Sequence, residues 1–397
     1  MMRRMGIANR ADSRIQLTVF ALVSAAFTSV YVTQPILPVL QVEFGITPAS
    51  ASTTISAVIA GIAIASLPSG ALADRMPVHR LIALGGIMSA ACCFFIAATT
   101  QFPLIVLARF VQGLFLPALT TCVAAYLARN LDARRLQVAM GAYVSATVAG
   151  GLGGRLLGGW IHPPLHWRYA FVTTGALVLG ATFAALRSLP PDERTPGVAR
   201  RQERYLELLQ DAKLLPIFLT ACGAFCAFSS VFSFFPFRLA APPLSASTSV
   251  ITAMYLTYVV GIFIGPLAGR ISARLGSGIT LMIASTLFAV ALTGTLVSHI
   301  GVLVVCLVFV CAGFFAIHAA AVGALNAAVT ASRGRANALY MLFYYLGGAV
   351  GVLASGGVYT RSGWPGVVML NIVALVAPFS AGVLARRREN AVDASGV

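Results

Sequence analysis

Charge is what this sequence has least of. Of 397 residues, 10% are Asp, Glu, Lys or Arg, and 11 are acidic. Soluble domains carry about 25% charged residues. A water-soluble globule and a solvated disordered chain are excluded on that ground. Lysine is nearly missing, since Lys213 is the one lysine among 27 basic residues. No Gly-x-x-x-x-Gly-Lys-Ser/Thr loop occurs, which argues against ATP-driven transport. No Gly-x-Ser-x-Gly, His-rich or paired-Asp pattern occurs either, so a membrane-embedded enzyme is not expected. The seven cysteines (Cys92, Cys93, Cys122, Cys222, Cys226, Cys306 and Cys311) all lie inside apolar runs. No second cluster completes a ligand set, so they read as small core thiols, with no metal or cofactor expected. No extended polar domain is left over, which argues against a receptor or scaffold.

What is there is apolar. The chain is 59% hydrophobic with a mean hydropathy of +0.89. Twelve apolar runs are predicted to cross a membrane, at residues 15–40, 49–71, 80–99, 103–127, 137–160, 168–188, 214–239, 248–268, 278–297, 301–326, 337–361 and 365–385. At about 20 residues per crossing they take up roughly 240 residues and leave only short loops. The first run lacks a small-residue cleavage site and reads as a membrane helix, not a removable signal. The expected fold class is an all-α polytopic membrane protein, with two six-helix bundles in a parallel pseudo-repeat.

The net charge of +16 would suggest nucleic acid, but its placement does not. Of the 27 basic residues, 22 fall in the termini and in alternate loops. By the positive-inside rule, residues 1–14 and 386–397 are cytoplasmic tails. Trp160, Trp167 and Trp364 fall at outer span ends, where an interfacial aromatic belt would put them.

The domain reading follows. Residues 15–188 form an N-terminal six-helix bundle and 214–385 a C-terminal one. Residues 189–213 form a cytoplasmic linker, in which Tyr205, Leu206, Leu208 and Leu209 suit a short surface helix, a plain solvated linker being the alternative. The halves resemble each other. Gly70-Ala-Leu-Ala-Asp-Arg75 aligns with Gly265-Pro-Leu-Ala-Gly-Arg270 at an offset of 195, and Gly150-Gly151 aligns with Gly347-Gly348 at 197. Trp167 and Trp364 are also 197 apart. Parallel six-helix repeats are a plan of secondary transporters.

The segment from Gly70 to Arg80 resembles the signature loop of the major facilitator superfamily, Gly-x-Leu-x-Asp-Arg-x-Gly-Arg-Lys/Arg. Gly70 would allow close helix contact, and Asp74, beside Arg75, would meet the start of span eleven. Pro77, Val78 and His79 replace the Gly-Arg-Lys/Arg part, leaving Arg80. Span four carries Arg109-Phe-Val-Gln112-Gly113, similar to the family's Arg-x-x-Gln-Gly motif, which is linked to proton coupling. Span five carries Gly141, Gly150, Gly151, Gly153, Gly154, Gly158 and Gly159 in place of the exporter motif, without its Gly-Pro step. Gln34-Pro-Ile-Leu-Pro38, Gly153-Gly-Arg155-Leu, Gly313-Phe-Phe-Ala-Ile-His318 and Phe343-Tyr-Tyr-Leu-Gly347 are similar, in the same order, to bacterial inner-membrane members of the family. The resemblance implies a twelve-helix efflux-type permease that works as a monomer.

Ionisable groups at membrane depth are costly, so each one is a functional candidate. Arg109 would tune a proton relay or make an interhelical bond. Arg155 would attract an anionic substrate or snorkel to the outer interface. His318 titrates near neutral pH in water, which suits proton transfer or a packed neutral ring. No Asp or Glu lies in mid-membrane, and span one offers Gln34 instead. Cavity candidates share helical faces: Tyr31 with Gln34, Tyr255 with Tyr258, and Tyr340 with Tyr344. Span seven adds Phe225, Phe228, Phe232 and Phe235. The expected function is proton-coupled efflux of a drug, sugar or metabolite by alternating access, with protons and the lipid bilayer as partners. An importer, exchanger or uniporter without proton coupling is the alternative.

Overall fold

A computed structural model describes residues 2–190, 205–329 and 333–395, with the side chains of 13–73, 75–132, 135–190, 205–329 and 333–390. Fifteen α-helices follow one another among the described residues. They are α1 (Met2–Tyr31), α2 (Leu37–Phe44), α3 (Pro48–Arg75), α4 (Val78–Ala98), α5 (Phe102–Leu119), α6 (Thr121–Asn130), α7 (Ala133–Ile161) and α8 (Arg168–Ser188). Then come α9 (Tyr205–Gln210), α10 (Leu215–Ala240), α11 (Thr248–Met254), α12 (Val260–Leu275), α13 (Ser277–Gly294), α14 (Ile300–Ala328) and α15 (Arg333–Ser395). The described residues contain no strand.

Ten stretches among them are long and apolar enough to cross a bilayer. The last of these covers two predicted spans, eleven and twelve. They run on without a loop, joined at Gly363, whose φ of 60° is open to glycine. The remaining predicted span is α7, 29 residues long, whose seven glycines and Arg155 dilute its hydropathy. Each of the twelve predicted spans therefore has a helix. Three of them are broken. Span one leaves the α-helix after Tyr31 and passes through a 3-10 turn, Gln34–Ile36, into α2. Span four parts at Thr120, one turn after Pro117, whose ring disturbs the helical bonding. Span eight holds a 3-10 turn at Tyr255–Val259.

The chain divides into two compact units, one of Met1–Ile36 with Ala57–Val198 and the other of Leu37–Ser56 with Ala199–Val397. In the first unit, α7 lies along α1. A methyl on Gly150 would sit on the Ser24 carbonyl oxygen, one on Gly154 on that of Thr28, and one on Gly158 on that of Val32. Small residues let the backbones come this close. Hydroxyls reinforce the crossing, with Ser24 Oγ donating to Ala146 O (3.2 Å) and Thr28 Oγ1 to Gly150 O (3.3 Å). Gly113 of α5 meets Val58 and Gly61 of α3 in the same manner. Asp132 caps α7 by accepting from the Arg135 N–H at 3.0 Å.

The second unit builds this crossing again from α10 and α15. A methyl on Gly347 would sit on the Cys222 carbonyl and one on Gly351 on that of Cys226. The glycines are offset by 197 from Gly150 and Gly154, and their partners by 198 from Ser24 and Thr28. The third contact differs. At the counterparts of Gly158 and Val32 stand Ser355 and Ser230, whose hydroxyls bond to each other. Asn371, fully buried, donates Nδ2 to Ser230 Oγ at 2.8 Å and to Val367 O at 2.7 Å.

Two tryptophans depart from the expected interfacial belt. Trp167 is fully buried against Phe171 and the Arg168 guanidinium (4.5 Å). Trp364 is buried too, and its indole N–H donates to Thr295 Oγ1 at 3.0 Å. A buried indole must place its N–H, and Trp364 does so inside the protein. Trp160 alone of the three is exposed. Within the linker a short helix forms, α9, with Leu208 buried and Leu206 exposed. The Arg335 guanidinium stands 5.4 Å from the Tyr205 ring. Residues 191–204 of the linker lie outside the described residues.

Candidate functional site

The first unit gathers its polar side chains at the break in span one. A helix leaves its last four carbonyls without intrahelical partners. α1 ends at Tyr31, and the carbonyls of Ser29 and Val30 both accept from Arg109, the former at 2.5 Å. The negative end of the helix dipole favours a cation there. Arg109 comes from α5 and is fully buried. It also donates to Gln112 Oε1 at 2.6 Å, and Gln112 Nε2 reaches Cys93 Sγ at 3.2 Å. The bond to Gln112 is one helical turn long, as the motif spacing predicts. The bonds to α1 and the contact with Cys93 were hidden from the sequence.

The other side of the break is held by Arg155 of α7. It is 1% exposed. Nε donates to Gln34 Oε1 at 2.7 Å and Nη1 to Gly151 O at 2.8 Å. The guanidinium carbon lies 4.1 Å from the centre of the Tyr31 ring, a cation–π contact. The snorkelling alternative therefore fails, because the charge is turned into the unit and bonded there. Tyr31 and Gln34, expected on one helical face, do not share a helix. They meet at Arg155 because the chain changes geometry between them.

The second unit gathers aromatic rings. Phe225 stacks on Tyr344 at 3.8 Å between centroids, and Phe228 on Phe314 at 3.8 Å. Tyr255 and Tyr258 lie 5.7 and 6.3 Å from Phe232, as a 3-10 turn that eclipses positions i and i+3 requires. The Tyr255 hydroxyl donates to Phe232 O at 3.0 Å. His318 Nδ1 is 2.9 Å from the Tyr340 hydroxyl, and its ring is 5.4 Å from Tyr344. The expected pairing of Tyr340 with Tyr344 thus converges on the one mid-span histidine. Rings fill this cluster against one another. A cavity of about 10 Å³ remains beside it, lined by Phe232, Phe235, Met254 and Tyr255 among others. Asn371 and the Ser230–Ser355 pair were missed by the sequence reading. A lone asparagine inside the apolar run of span twelve was the available signal.

The signature-loop residues do not join either cluster. Arg75 and Arg80 are exposed. The side chain of Asp74 lies outside the described ones. Gly70 is a correction. Within its own unit a methyl there would meet nothing within 4 Å, so no close helix contact requires the glycine. His79, which departs from the family pattern, has Nε2 3.1 Å from Leu189 O, and the Tyr126 hydroxyl donates to Pro190 O at 2.8 Å. Together these fasten the end of α8.

Twelve apolar helices in duplicated sets, with buried arginines bonded across helices, describe a polytopic membrane transporter. The Major Facilitator Superfamily pattern matches residues 19–241 and 239–395, so the chain belongs to that family. It is 28% identical over 382 residues to the inner membrane transport protein YnfM of Escherichia coli strain K12, covering 95% of this chain and 92% of that one. It is 30% identical over 264 residues to a chloramphenicol resistance protein of Streptomyces lividans, covering 64% of this chain and 65% of that one. Among solved structures, a bacterial homologue of the human lysosomal transporter Spinster superposes with a TM-score of 0.78 at 16% identity, covering 94% of this chain and 97% of that one. That likeness carries the fold alone.

Proposed function

We propose that this transporter expels a small organic solute across the bacterial inner membrane by alternating access, driven by protons. The observation that carries the reading is the break in span one, held by two buried arginines from different helices. Arg109 bonds carbonyls that change partners if the break opens or closes. A charged group at membrane depth is costly, and transporters retain such groups where they move ions or solutes. His318, bonded to Tyr340, is the titratable side chain offered for proton passage. Asp74 with Arg75 at the end of α3 is assigned to gating. The aromatic residues Phe228, Tyr255, Tyr258, Tyr340 and Tyr344 are assigned to the solute's apolar body. The bundles are drawn at 15–188 and 214–385, with both termini cytoplasmic and the monomer as the working unit. A relative named for chloramphenicol resistance supports the outward direction.

The competing reading is a uniporter, exchanger or importer without proton coupling. Its support is the placement of every Asp and Glu outside the twelve predicted spans. Purified protein in liposomes under an imposed pH gradient decides between them. Chloramphenicol, cationic dyes, sugars and organic acids are added one at a time. Collapse of the gradient by a compound, absent from Arg109→Ala and His318→Ala liposomes, is the expected result. Solute crossing without proton movement overturns the coupling.

A further inference from the structure

The internal repeat sets one end of each unit beside the other for comparison. In the first unit the His79–Leu189 bond fastens the start of α4 to the end of α8. The offset of 195 that aligns Arg75 with Arg270 carries His79 to Arg274. The offset of 197 that aligns the tryptophans carries Leu189, Pro190 and Pro191 to Arg386, Arg387 and Arg388. Where the first unit makes a neutral bond, the second has an arginine at both positions. Topology does not demand this, since the first unit has an arginine at one of these five positions, Arg75. The tail of α15 does adjoin the end of α12. Ser277 Oγ and the Gly278 N–H, at the start of α13, donate to Glu389 Oε1, both at 3.3 Å. A methyl on Gly278 would stand 2.6 Å from Arg386 N. Glu389 Oε2 lies 3.8 Å from Arg386 Nη1. Arg388 Nη2 donates at 3.1 Å to Ala212 O, between Asp211 and Lys213. Two carboxylates thus stand against five arginines and a lysine. Arg270, Arg274 and Arg387 are exposed, and among the described residues no carboxylate meets them. Arg270 and Arg274 are one helical turn apart, where like charges repel. They share a face of α12 with Leu267, Ile271 and Leu275, which are exposed as well.

We propose that this end of the second unit binds the headgroup of an anionic phospholipid. Its phosphate is held by the arginines of α12 and of the α15 tail. Guanidinium groups match phosphate oxygens with paired N–H donors, and charged acceptors bond them strongly. Basic clusters at the ends of membrane spans recognise anionic lipids in this way. The apolar stripe of Leu267, Ile271 and Leu275 lies beside the arginines and takes the acyl chain. A free phosphate has no use for that stripe, so the lipid is the occupant. Glu389 is a positioning residue. Its carboxylate sits on the N-terminus of α13, where the helix dipole favours it, and pins the arginine tail beside α12. The site holds whichever solute the protein carries, in whichever direction.

The test is native mass spectrometry of the purified full chain in neutral-detergent micelles, titrated with phosphatidylglycerol or phosphatidylcholine. The first phosphatidylglycerol is expected to bind at least about fivefold more tightly than the first phosphatidylcholine, the effect of one arginine near an anionic surface. Arg274→His/Arg386→Leu, which copies the first unit, should remove that preference. Arg270→Gln/Arg387→Gln, at exposed positions, serves in its place if the copied variant does not fold. Arg361→Gln, an exposed arginine outside the cluster, should leave the preference intact. Glu389→Ala adds net positive charge, yet it should weaken the binding because the tail is no longer pinned. Tighter binding by Glu389→Ala overturns its positioning role. Equal binding of the two lipids overturns the proposal, as does a preference that survives the arginine variants. Displacement of the lipid by inorganic phosphate, but not by chloride at equal ionic strength, makes the site one for free phosphate and overturns the lipid assignment.

Discussion

A methyl group added to Gly154 should be resisted, and one added to Gly141 of the same helix should be welcome. The ideal Cβ of residue 154 would stand 2.9 Å from Thr28 Cα and closer still to the Thr28 carbonyl oxygen. Ordinary contact begins at about 3.4 Å, so α1 and α7 must part by at least about half an ångström. A gap of that size along a packed seam forfeits roughly a quarter of the dispersion energy at each contact. Overpacking of this kind costs about 1–3 kcal/mol. At Gly141 nothing lies within 4 Å, and the change to alanine gains about 1 kcal/mol of helix propensity. Both variants gain the same propensity, so they should differ by the overpacking cost, about 1–3 kcal/mol, with Gly154→Ala the less stable. The second unit repeats the experiment, with Gly351→Ala predicted to destabilise and Gly357→Ala, which meets open space, to stabilise. Reversible unfolding in mixed micelles, titrated with SDS, measures all four. Equal effects of Gly141→Ala and Gly154→Ala would refute the reasoning, because helix propensity alone would then explain both.

Other expectations follow from single contacts. Arg109→Ala leaves the Ser29 and Val30 carbonyls without a donor, at about 1–3 kcal/mol each, but removes a buried charge that costs about 3 kcal/mol at membrane depth. Stability should therefore change by no more than about 3 kcal/mol while proton-driven flux disappears, and intact flux would remove Arg109 from the mechanism. Trp364→Phe loses the bond to Thr295 and should cost about 1 kcal/mol. Trp160→Phe, at an exposed ring, should be within about 0.5 kcal/mol of the parent. Ser230→Val strands Ser355 and Asn371, at about 1–3 kcal/mol. Adding Ser355→Gly and Asn371→Leu should recover part of that loss, and purely additive costs would show that the three do not act as a network.

The membrane fold was legible because it is written in long runs. Twelve stretches of about 20 apolar residues admit few alternatives, and the offset of 197 between glycine pairs fixed the repeat before any contact was known. Breaks inside the runs were not legible, because a departure from α geometry after Tyr31 leaves hydropathy unchanged. That departure decides which residues meet. Arg109 was singled out by its motif, yet its main acceptors are backbone carbonyls, which have no sequence signature. The aromatic pairs at spacings of three and four were placed on common faces, and their convergence on Phe232 and His318 needed the partner helices. The tryptophans misled for a related reason. A position at a span end fits either a lipid-facing ring or one turned inward, and only the partner of the indole N–H separates the two.

The repeated glycine seam divides the chain into positions that are frozen and positions that are free to diverge. Gly150, Gly154, Gly347 and Gly351 each press against a carbonyl and admit no side chain unless the neighbouring helix shifts. Their immediate neighbours carry no such constraint, and one copy has kept an arginine where the other has a valine. An ancestral half, once duplicated, could thus specialise without rebuilding its scaffold. The same freedom persists in the present protein. A substitution beside the seam can therefore change the local charge without touching the glycine contacts.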